Sequence, residues 1–304
     1  MIAVMWRGTQ GVFAGIGPVE SAAMASGRVR PALRLLILDL DGVVYRGTQP
    51  VDGAPELVAR LHAAGIVVRY ATNNSMSTRA EFASRLTAMG IAASSDEIAT
   101  SVSATIEHLR RHLPQVRSVL TVGASGMVEE LRAAGFDVLP APDAAGARFP
   151  PSVDAVLVGV DFDFDAARLA AAAAAIRGGA RFVATNADAR YPTPDGFRPG
   201  AGAMVNAVQA ATGISPLVIG KPEPAMFEAI LEETGVAAGE AIVVGDSLDS
   251  DILGARRTGI ESIVVLTGVT SASAAADAPS DRVPDHVAEG PADVWEIVEG
   301  RIRR

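Results

Sequence analysis

A short apolar run that ends in a pair of acids constrains the fold of this chain more than any other feature. The run covers residues 33–38, consists almost entirely of Leu and Ile, and stops at the segment Asp-Leu-Asp-Gly, residues 39–42. A run of this length is too short for an independent helix, and its near-continuous apolar character is typical of a parallel strand buried on both faces. The sequence therefore predicts a buried strand whose carboxyl end carries Asp39 and Asp41.

The same pattern, an apolar strand followed by a polar cluster, recurs three times along the chain. Predicted strands over residues 66–71, 217–219 and 241–244 end in clusters that contain Thr72, Lys221 and Asp246, respectively. Helical stretches lie between strands, and this alternation indicates an α/β fold with a doubly wound, Rossmann-like parallel sheet. Such sheets bind ligands at the carboxyl ends of their strands. We therefore expect the four clusters to meet at one edge of one sheet and to form a single site.

The chain is expected to contain two domains and a loose N-terminal extension. About 140 residues separate the second and third predicted strands, which is far longer than a structureless loop in a compact domain. Strand and helix patterns within this stretch, such as a helix over 166–177 and a strand over 181–185, predict an inserted α/β domain. We place this cap-like insertion at residues 114–214, the discontinuous core at 33–113 and 215–304, and the extension at 1–32.

Composition excludes several classes of function. The formal net charge of −9 argues against a nucleic-acid partner, because such partners are bound by clustered Lys and Arg. The absence of cysteine excludes disulfides, thiolate metal sites and cysteine nucleophiles. No apolar run approaches the roughly 20 residues that span a bilayer, so we expect no membrane partner. A cytoplasmic location is a separate expectation. The sequence leaves the oligomeric state open, and a homo-oligomer is among the alternatives.

Three of the predicted strand-end residues are acids that would lie close together. Asp39, Asp41 and Asp246 would repel one another strongly unless they were protonated or neutralised by a cation. Mg²⁺ suits such a site because it prefers oxygen ligands and often binds a few carboxylates together with a substrate phosphate. The sequence therefore predicts Mg²⁺ as the cofactor and a small phosphorylated metabolite as the partner.

The residue types in the four clusters also support a phosphoryl-transfer reaction. Attack by Asp39 on phosphorus would form an aspartyl-phosphate, and Asp41 would protonate the leaving group and later activate water. Gly42 would allow main-chain N–H groups to approach the phosphoryl oxygens. The Thr72 hydroxyl and the ammonium of Lys221, the only lysine among 26 basic residues, would donate to the same oxygens.

Taken in order, the clusters resemble the four signatures of the haloacid dehalogenase superfamily of phosphatases. The segments Asp-Leu-Asp-Gly-Val-Val-Tyr (39–45), Thr-Asn-Asn (72–74), Gly-Lys-Pro (220–222) and the acidic segment 245–251 match in order and spacing. The insertion, with Ala-Thr-Asn-Ala-Asp (184–188) and Pro-Gly-Ala-Gly (199–202), is similar to the NagD-like, p-nitrophenyl phosphatase branch, in which an α/β cap covers the active site. The resemblance extends over nearly all of residues 33–304 and implies an Mg²⁺-dependent phosphatase.

The resemblance implies roles for individual residues. It implies that the metal is bound by Asp39, by the main-chain carbonyl of Asp41 and by Asp246, and that Asp251 orders the shell around the metal. It also implies that Asn73 contacts the phosphate through its backbone or its side chain.

Specificity is expected to come from the cap. The candidates that would meet the leaving group are polar and aromatic residues before the turn at 199–200, namely Asn186, Asp188, Arg190, Tyr191 and Arg198. The alternative is that the Asn and Asp residues only form turns and that the arginines are only solvated. Members of the branch act on glycerol phosphate, phosphoglycolate, pyridoxal phosphate, nucleotides and sugar phosphates. We favour glycerol phosphate or a similarly small polyol phosphate.

Two other functions use the same residue types. A phosphotransferase or mutase would transfer the phosphoryl group from Asp39 to an acceptor other than water. A receiver-type signalling module also combines an Asp, a hydroxyl residue, a Lys and Mg²⁺ on a doubly wound sheet. Asp41, which can hydrolyse the phosphoenzyme, and the large insertion both disfavour the receiver.

Overall fold

Two parallel β-sheets and the helices packed on them make up most of this computed structural model, which describes residues 31–141, 152–193 and 196–302. The predicted α/β class is therefore confirmed. Nearly all of the predicted N-terminal extension, residues 1–30, lies outside the described residues. The elements are numbered in chain order below.

The strands are β1 (Leu35–Leu38), β2 (Tyr45–Arg46), β3 (Gln49–Pro50), β4 (Val67–Thr72), β5 (Ile98–Thr100), β6 (Ser118–Val122), β7 (Asp137–Pro140), β8 (Ala155–Val158), β9 (Arg181–Ala184), β10 (Arg190–Thr193), β11 (Gly196–Pro199), β12 (Leu217–Val218), β13 (Ala241–Gly245), β14 (Glu261–Val265) and β15 (His286–Ala288). The α-helices are α1 (Ala54–Ala63), α2 (Arg79–Ala88), α3 (Ser101–His112), α4 (Ser125–Ala133), α5 (Ala166–Arg177), α6 (Ala201–Thr212), α7 (Ala225–Thr234), α8 (Leu253–Thr258), α9 (Ala272–Ala276) and α10 (Pro291–Ile302). No helix in the described ranges has the length and apolar character needed to cross a membrane. The cytoplasmic location and the oligomeric state stay predictions.

The larger sheet holds the first, second and fourth predicted strands at its centre. Within the described residues its strand order is β15-β14-β13-β1-β4-β5, and all neighbouring strands are parallel. All four residues of β1 are buried, as expected for a strand covered on both faces. Strands β4 and β5 follow one another on one side of β1, and β13, β14 and β15 follow one another on the other side. The carboxyl ends of β1, β4 and β13 therefore form a switch point of the kind that binds ligands in doubly wound folds. Asp39, Thr72 and Asp246 lie at these three ends.

A smaller parallel sheet, in the order β12-β9-β8-β6-β7, contains the third predicted strand. The prediction that residues 217–219 belong to the same sheet as Asp39 is wrong, because β12 pairs with β9. β12 is a two-residue edge strand in which Leu217 is 42% exposed, so its apolar residues do not mark a central, buried position. This last strand of the smaller sheet also lies beyond residue 214, the predicted end of the insertion. The division into domains stays a prediction.

One apolar core joins the two sheets. Leu35 and Ile37 of β1 belong to the same buried cluster as Val119 of β6 and Val183 of β9. Helices α3, α4 and α7 contribute many of the other apolar side chains of this cluster, while α1, α2 and α10 cover the opposite face of the larger sheet. Each fully buried Leu, Ile or Phe side chain stabilises the fold by about 1.5–3 kcal/mol. This shared cluster packs the two sheets against each other.

Candidate active site

A single ammonium group lies at the centre of the site. Lys221 Nζ donates hydrogen bonds to Asp39 Oδ1 and Asp251 Oδ1, each at 2.6 Å, and to the main-chain carbonyl of Ala71 at 2.9 Å. These three acceptors match the three N–H bonds of an ammonium. The Lys221 side chain is only 3% exposed, so the contacts form where little water is present. Lys221 thereby joins the ends of β1 and β4 to the loop that follows β13.

The charges around Lys221 keep it protonated. Burial by itself would lower the pKa of Lys221, but the carboxylates of Asp251 and Asp39 outweigh burial and raise the pKa above its ordinary value. Lys221 can therefore stabilise negative charge, and it is not available as a general base.

Three carboxylates surround this ammonium closely enough to share a cation. Asp39, Asp246 and Asp251 each place an oxygen within 4.8 Å of the other two. Burial raises the pKa of Asp39 well above its ordinary value, and the charges of Asp251 and Asp246 add to this effect while Lys221 opposes it. Burial and the charge of Asp251 also raise the pKa of Asp246 to about 7. If all three acids are ionised, they carry more negative charge than one ammonium balances, and a divalent cation would relieve the excess.

The hydrogen bonds of these acids show which oxygens could bind such a cation. Within residues 31–141, 152–193 and 196–302, Asp39 Oδ2 and Asp246 Oδ1 accept no hydrogen bond. Asp251 differs, because its Oδ1 accepts from Lys221 and its Oδ2 accepts from the main-chain N–H of Ser247 at 3.2 Å. Asp39 and Asp246 therefore have free oxygens of the kind that Mg²⁺ prefers, whereas Asp251 is engaged with the protein.

Asp41 lies beside a tyrosine and an arginine. The Tyr45 hydroxyl donates to Asp41 Oδ2 at 3.4 Å, and the Arg85 guanidinium carbon lies 5.9 Å from the centre of the Tyr45 ring. Burial raises the pKa of Asp41, and Arg85 and Tyr45 partly oppose the shift. A carboxyl group with a raised pKa is suited to donating and accepting protons. Sequence analysis assigned no role to Tyr45 or Arg85, and the only signal was the position of Tyr45 at the end of the first signature.

Two glycines allow their loops to pack directly against Asp246. Gly42 has a φ of +80°, and a β-carbon at either Gly42 or Gly268 would overlap Asp246 Oδ2. The Thr267 hydroxyl donates to the main-chain carbonyl of Gly42 at 2.6 Å, and the main-chain N–H of Val269 donates to Asp246 Oδ2 at 2.9 Å. Sequence analysis missed residues 267–269. The available signal was an apolar run over 263–266 followed by Thr267 and Gly268, which repeats the pattern of the other clusters.

Thr72 lies at the end of β4 with its hydroxyl proton available. The Thr72 hydroxyl oxygen accepts from the main-chain N–H of Asn74 at 3.1 Å, and the residue is 4% exposed. Among the described residues this hydroxyl donates to no protein acceptor, so its proton is free for a ligand. Two residues farther along the same loop, Asn74 Nδ2 donates to the Tyr191 hydroxyl at 3.1 Å.

Asn73 connects three of the predicted segments. Its Nδ2 donates to the main-chain carbonyl of Lys221 at 2.8 Å and to Asp188 Oδ2 at 3.0 Å. Its own main-chain carbonyl accepts from Asn186 Nδ2 at 2.8 Å and from the Ser101 hydroxyl at 2.9 Å. Both N–H bonds of the Asn73 side chain are thus directed to protein acceptors. These bonds favour the main-chain N–H over the side chain of Asn73 as the predicted contact with the phosphate.

The other three cap candidates lie on the hairpin formed by β10 and β11. Tyr191 packs edge-on against Phe162, with ring centres 5.3 Å apart, and the Arg198 guanidinium carbon lies 5.0 Å from the centre of the same Phe162 ring. Arg190 and Arg198 are exposed. Because Tyr191 also binds Asn74, this aromatic and cationic surface adjoins the loop that carries Thr72.

Comparison with known proteins agrees with this geometry. Residues 36–137 match the sequence family of haloacid dehalogenase-like hydrolases, and residues 218–293 match a second family described as HAD-hydrolase-like. The acid sugar phosphatase of Staphylococcus saprophyticus is 37% identical over 235 residues, which are 77% of this chain and 87% of that protein.

Two solved structures extend the comparison. Glycerol phosphate phosphatase from Mycobacterium tuberculosis, solved with magnesium, is 36% identical, with a TM-score of 0.77 over 86% of this chain and 76% of that one. The p-nitrophenyl phosphatase from Archaeoglobus fulgidus is 30% identical, with a TM-score of 0.79 over 88% of this chain and 100% of that one. The predicted family branch and the predicted enzyme class, a phosphoric monoester hydrolase, are confirmed. The chain belongs to the haloacid dehalogenase-like hydrolases.

Proposed function

We propose that this chain is an Mg²⁺-dependent phosphatase that hydrolyses a small phosphomonoester through an aspartyl-phosphate on Asp39. The observation that carries the proposal is the Lys221 ammonium, 2.6 Å from Asp39 Oδ1 and inside a cluster of three buried acids. This cation offsets part of the negative charge at the nucleophile, so an anionic phosphoryl group can approach it. An ammonium used only to stabilise the fold would not need further carboxylate oxygens without hydrogen bonds beside it.

The residues that would hold Mg²⁺ are Asp39, Asp246 and the main-chain carbonyl of Asp41. The free oxygens of the two carboxylates and the excess negative charge of the cluster support this assignment. Asp251 would act indirectly, by holding Lys221 and the loop that carries Asp246. When bound, the ion would neutralise charge on the phosphoryl oxygens and align the phosphate with Asp39.

In the first half-reaction, a carboxylate oxygen of Asp39 forms a bond to phosphorus while the bond from phosphorus to the leaving oxygen breaks. Asp41, in its acid form, gives its proton to that leaving oxygen, and an alcohol departs. Burial, which raises the pKa of Asp41, favours the acid form that this role requires.

The Thr72 hydroxyl and Lys221 would stabilise the charge on the transferring group. All three N–H bonds of Lys221 already have acceptors, so a contact with the phosphoryl group would replace one of them. The bond to Asp39 is the natural one to be exchanged, because phosphorylation removes negative charge from that carboxylate.

In the second half-reaction, Asp41, now ionised, takes a proton from a water molecule as its oxygen attacks phosphorus. The bond between phosphorus and Asp39 breaks, inorganic phosphate is released, and both carboxyl groups return to their starting states. Two easier displacements thereby replace one difficult hydrolysis.

The substrate we propose is a small polyol phosphate, of which glycerol phosphate is the first candidate. This choice is supported by the likeness to the M. tuberculosis glycerol phosphate phosphatase. Arg190, Tyr191 and Arg198 would meet the leaving group, because their hairpin adjoins the loop that carries Thr72 through the bond from Asn74 to Tyr191.

Release of phosphate from p-nitrophenyl phosphate and from a panel of phosphorylated metabolites, with and without Mg²⁺, tests the proposal. Steady turnover that requires Mg²⁺ and that disappears in Asp39→Asn is expected. Turnover in Asp39→Asn comparable to that of the wild type would show that Asp39 is not the nucleophile. Transfer of phosphate to an alcohol in place of water would identify a phosphotransferase.

A further inference from the structure

Asp188 reaches from the smaller sheet into the loops of the larger one. Its Oδ2 accepts from Asn73 Nδ2 at 3.0 Å, and the same Asn73 nitrogen donates to the main-chain carbonyl of Lys221 at 2.8 Å. The main chain at Asp188 is itself fixed, because its carbonyl accepts from the N–H of Gly202 at 2.9 Å, at the start of α6. A chain of contacts therefore runs from α6 through Asp188 and Asn73 to Lys221.

We propose, on the basis of the function above, that Asp188 is a positioning residue. It sets the orientation of the Asn73 amide, which in turn fixes the main chain of Lys221 and hence the place of its ammonium beside Asp39. In this role Asp188 does not select the leaving group, although it lies among the cap residues that sequence analysis assigned to specificity.

The physical reason is the planarity of the Asn73 amide. The two N–H bonds of the amide lie in one plane, and each has one protein acceptor, the Asp188 carboxylate and the Lys221 carbonyl. Without the carboxylate, one N–H would be left without a partner in a half-buried position, and the amide could rotate away from Lys221. Since Lys221 makes three short contacts, a small displacement of its main chain is enough to lengthen the contact with Asp39.

The charge of Asp188 is also unsuited to contact with the substrate. A carboxylate directed at a phosphomonoester would repel it. Pairing the carboxylate with the Asn73 amide keeps it turned toward the protein.

The single lysine of this chain provides a direct test. Protein made with isotope-labelled lysine gives one side-chain NMR signal, from Lys221. We expect this signal to shift in Asp188→Ala without any substrate present, and to remain near its wild-type position in Asp188→Asn, which keeps an oxygen that can accept from Asn73. Asp163→Ala, which removes an exposed acid that follows β8, is the matched control and should leave the signal unchanged. Thermal unfolding checks that each variant is folded.

Kinetics provide a second test that a purely structural role would not satisfy. We expect Asp188→Ala to lower kcat by about 10- to 100-fold, and by the same factor for p-nitrophenyl phosphate and glycerol phosphate. The reason is that the displaced Lys221 ammonium stabilises the phosphoryl group, which both substrates share, and does not contact the alcohol. Adding Asp188→Ala to Asn73→Ala should cause little further loss, because both changes break one chain of contacts.

Two results would overturn the inference. The first is a rate loss in Asp188→Ala that differs between the two substrates by tenfold or more, which would indicate contact with the leaving group. The second is a folded Asp188→Ala protein whose Lys221 signal is unchanged. If the wild type hydrolyses no phosphomonoester, the proposed function fails, and the NMR comparison still decides whether Asp188 positions Lys221.

Discussion

Replacing Lys221 by Met removes the ammonium at the centre of the site while keeping most of the side-chain volume. The variant loses two hydrogen bonds to carboxylates, each 2.6 Å long, at a position that is 3% exposed. A hydrogen bond to a charged group contributes about 1.5–3 kcal/mol, and removing one partner of a buried ion pair costs about 3–5 kcal/mol. Because the acids can take up protons in response, we expect the free energy of unfolding to fall by about 3 kcal/mol.

Lys221→Met should also have a lower kcat at temperatures where the variant is still folded. Removal of one donor that stabilises a transition state lowers kcat by about 100- to 1,000-fold. Lys221→Arg keeps the charge but replaces a compact ammonium by a planar guanidinium, which does not fit three acceptors arranged around one nitrogen, so we expect it to restore little activity.

Phosphate release under saturating Mg²⁺, at a temperature where both variants are folded, measures the rates, and urea unfolding measures the stabilities. Activity in Lys221→Met within tenfold of the wild type would refute the assignment of Lys221 to the transferring group. A loss in unfolding free energy below about 1 kcal/mol would refute the argument from buried charge.

Three further predictions concern the neighbours of Lys221. Gly42→Ala should weaken Mg²⁺ activation and lower the free energy of unfolding by about 1–2 kcal/mol, because φ is +80° and the new β-carbon would overlap Asp246. Calorimetry measures the change in stability, and a Mg²⁺ titration of the rate measures the change in activation. Asp246→Asn should raise the Mg²⁺ concentration that gives the half-maximal rate by at least about tenfold. Asp249→Asn, which changes an acid that is 81% exposed, should leave that concentration unchanged. Equal responses of the two variants would contradict the metal assignment. Tyr191→Phe removes the 3.1 Å hydrogen bond from Asn74, which contributes about 1 kcal/mol. We expect the KM for glycerol phosphate to rise severalfold while kcat stays nearly unchanged. A fall in kcat alone would argue against a role for the hairpin in binding the leaving group.

The centre of the larger sheet was predictable because its signal is local. The apolar run of β1 and the acids that follow it lie within ten residues, and burial of all four β1 residues agrees with the pattern. Residues 217–219 show the same pattern, yet β12 joins the other sheet. An apolar run followed by a glycine predicts a strand, but it does not say which strand it will pair with. The short strand β5 was not predicted, because three residues that include Thr100 carry too weak a pattern.

The contacts that arrange the site were less predictable because they join distant residues. Lys221 and Asp39 are 182 positions apart and Asn73 and Asp188 are 115 apart. The order of the motifs indicated that Lys221 and Asp39 would meet, since both follow strands. No pattern in the sequence indicated that Asn73 and Asp188 would meet. Asn186 and Asp188 were therefore assigned to the leaving group on composition alone, whereas their side chains are bonded to Asn73. Residues 267–269 were missed because their contribution is a close main-chain approach to Asp246, which an apolar run followed by a glycine does not by itself specify.

The most direct measurement is to trap the phosphorylated enzyme. In Asp41→Asn, attack on p-nitrophenyl phosphate still has a good leaving group, but the base that activates water is absent, so a phosphoenzyme should accumulate. Reduction with borohydride followed by peptide mass spectrometry should then find the modified carboxyl at position 39 and at no other acid. Release of p-nitrophenol with no modified carboxyl, or with modification at Asp246 or Asp251 instead, would contradict the account.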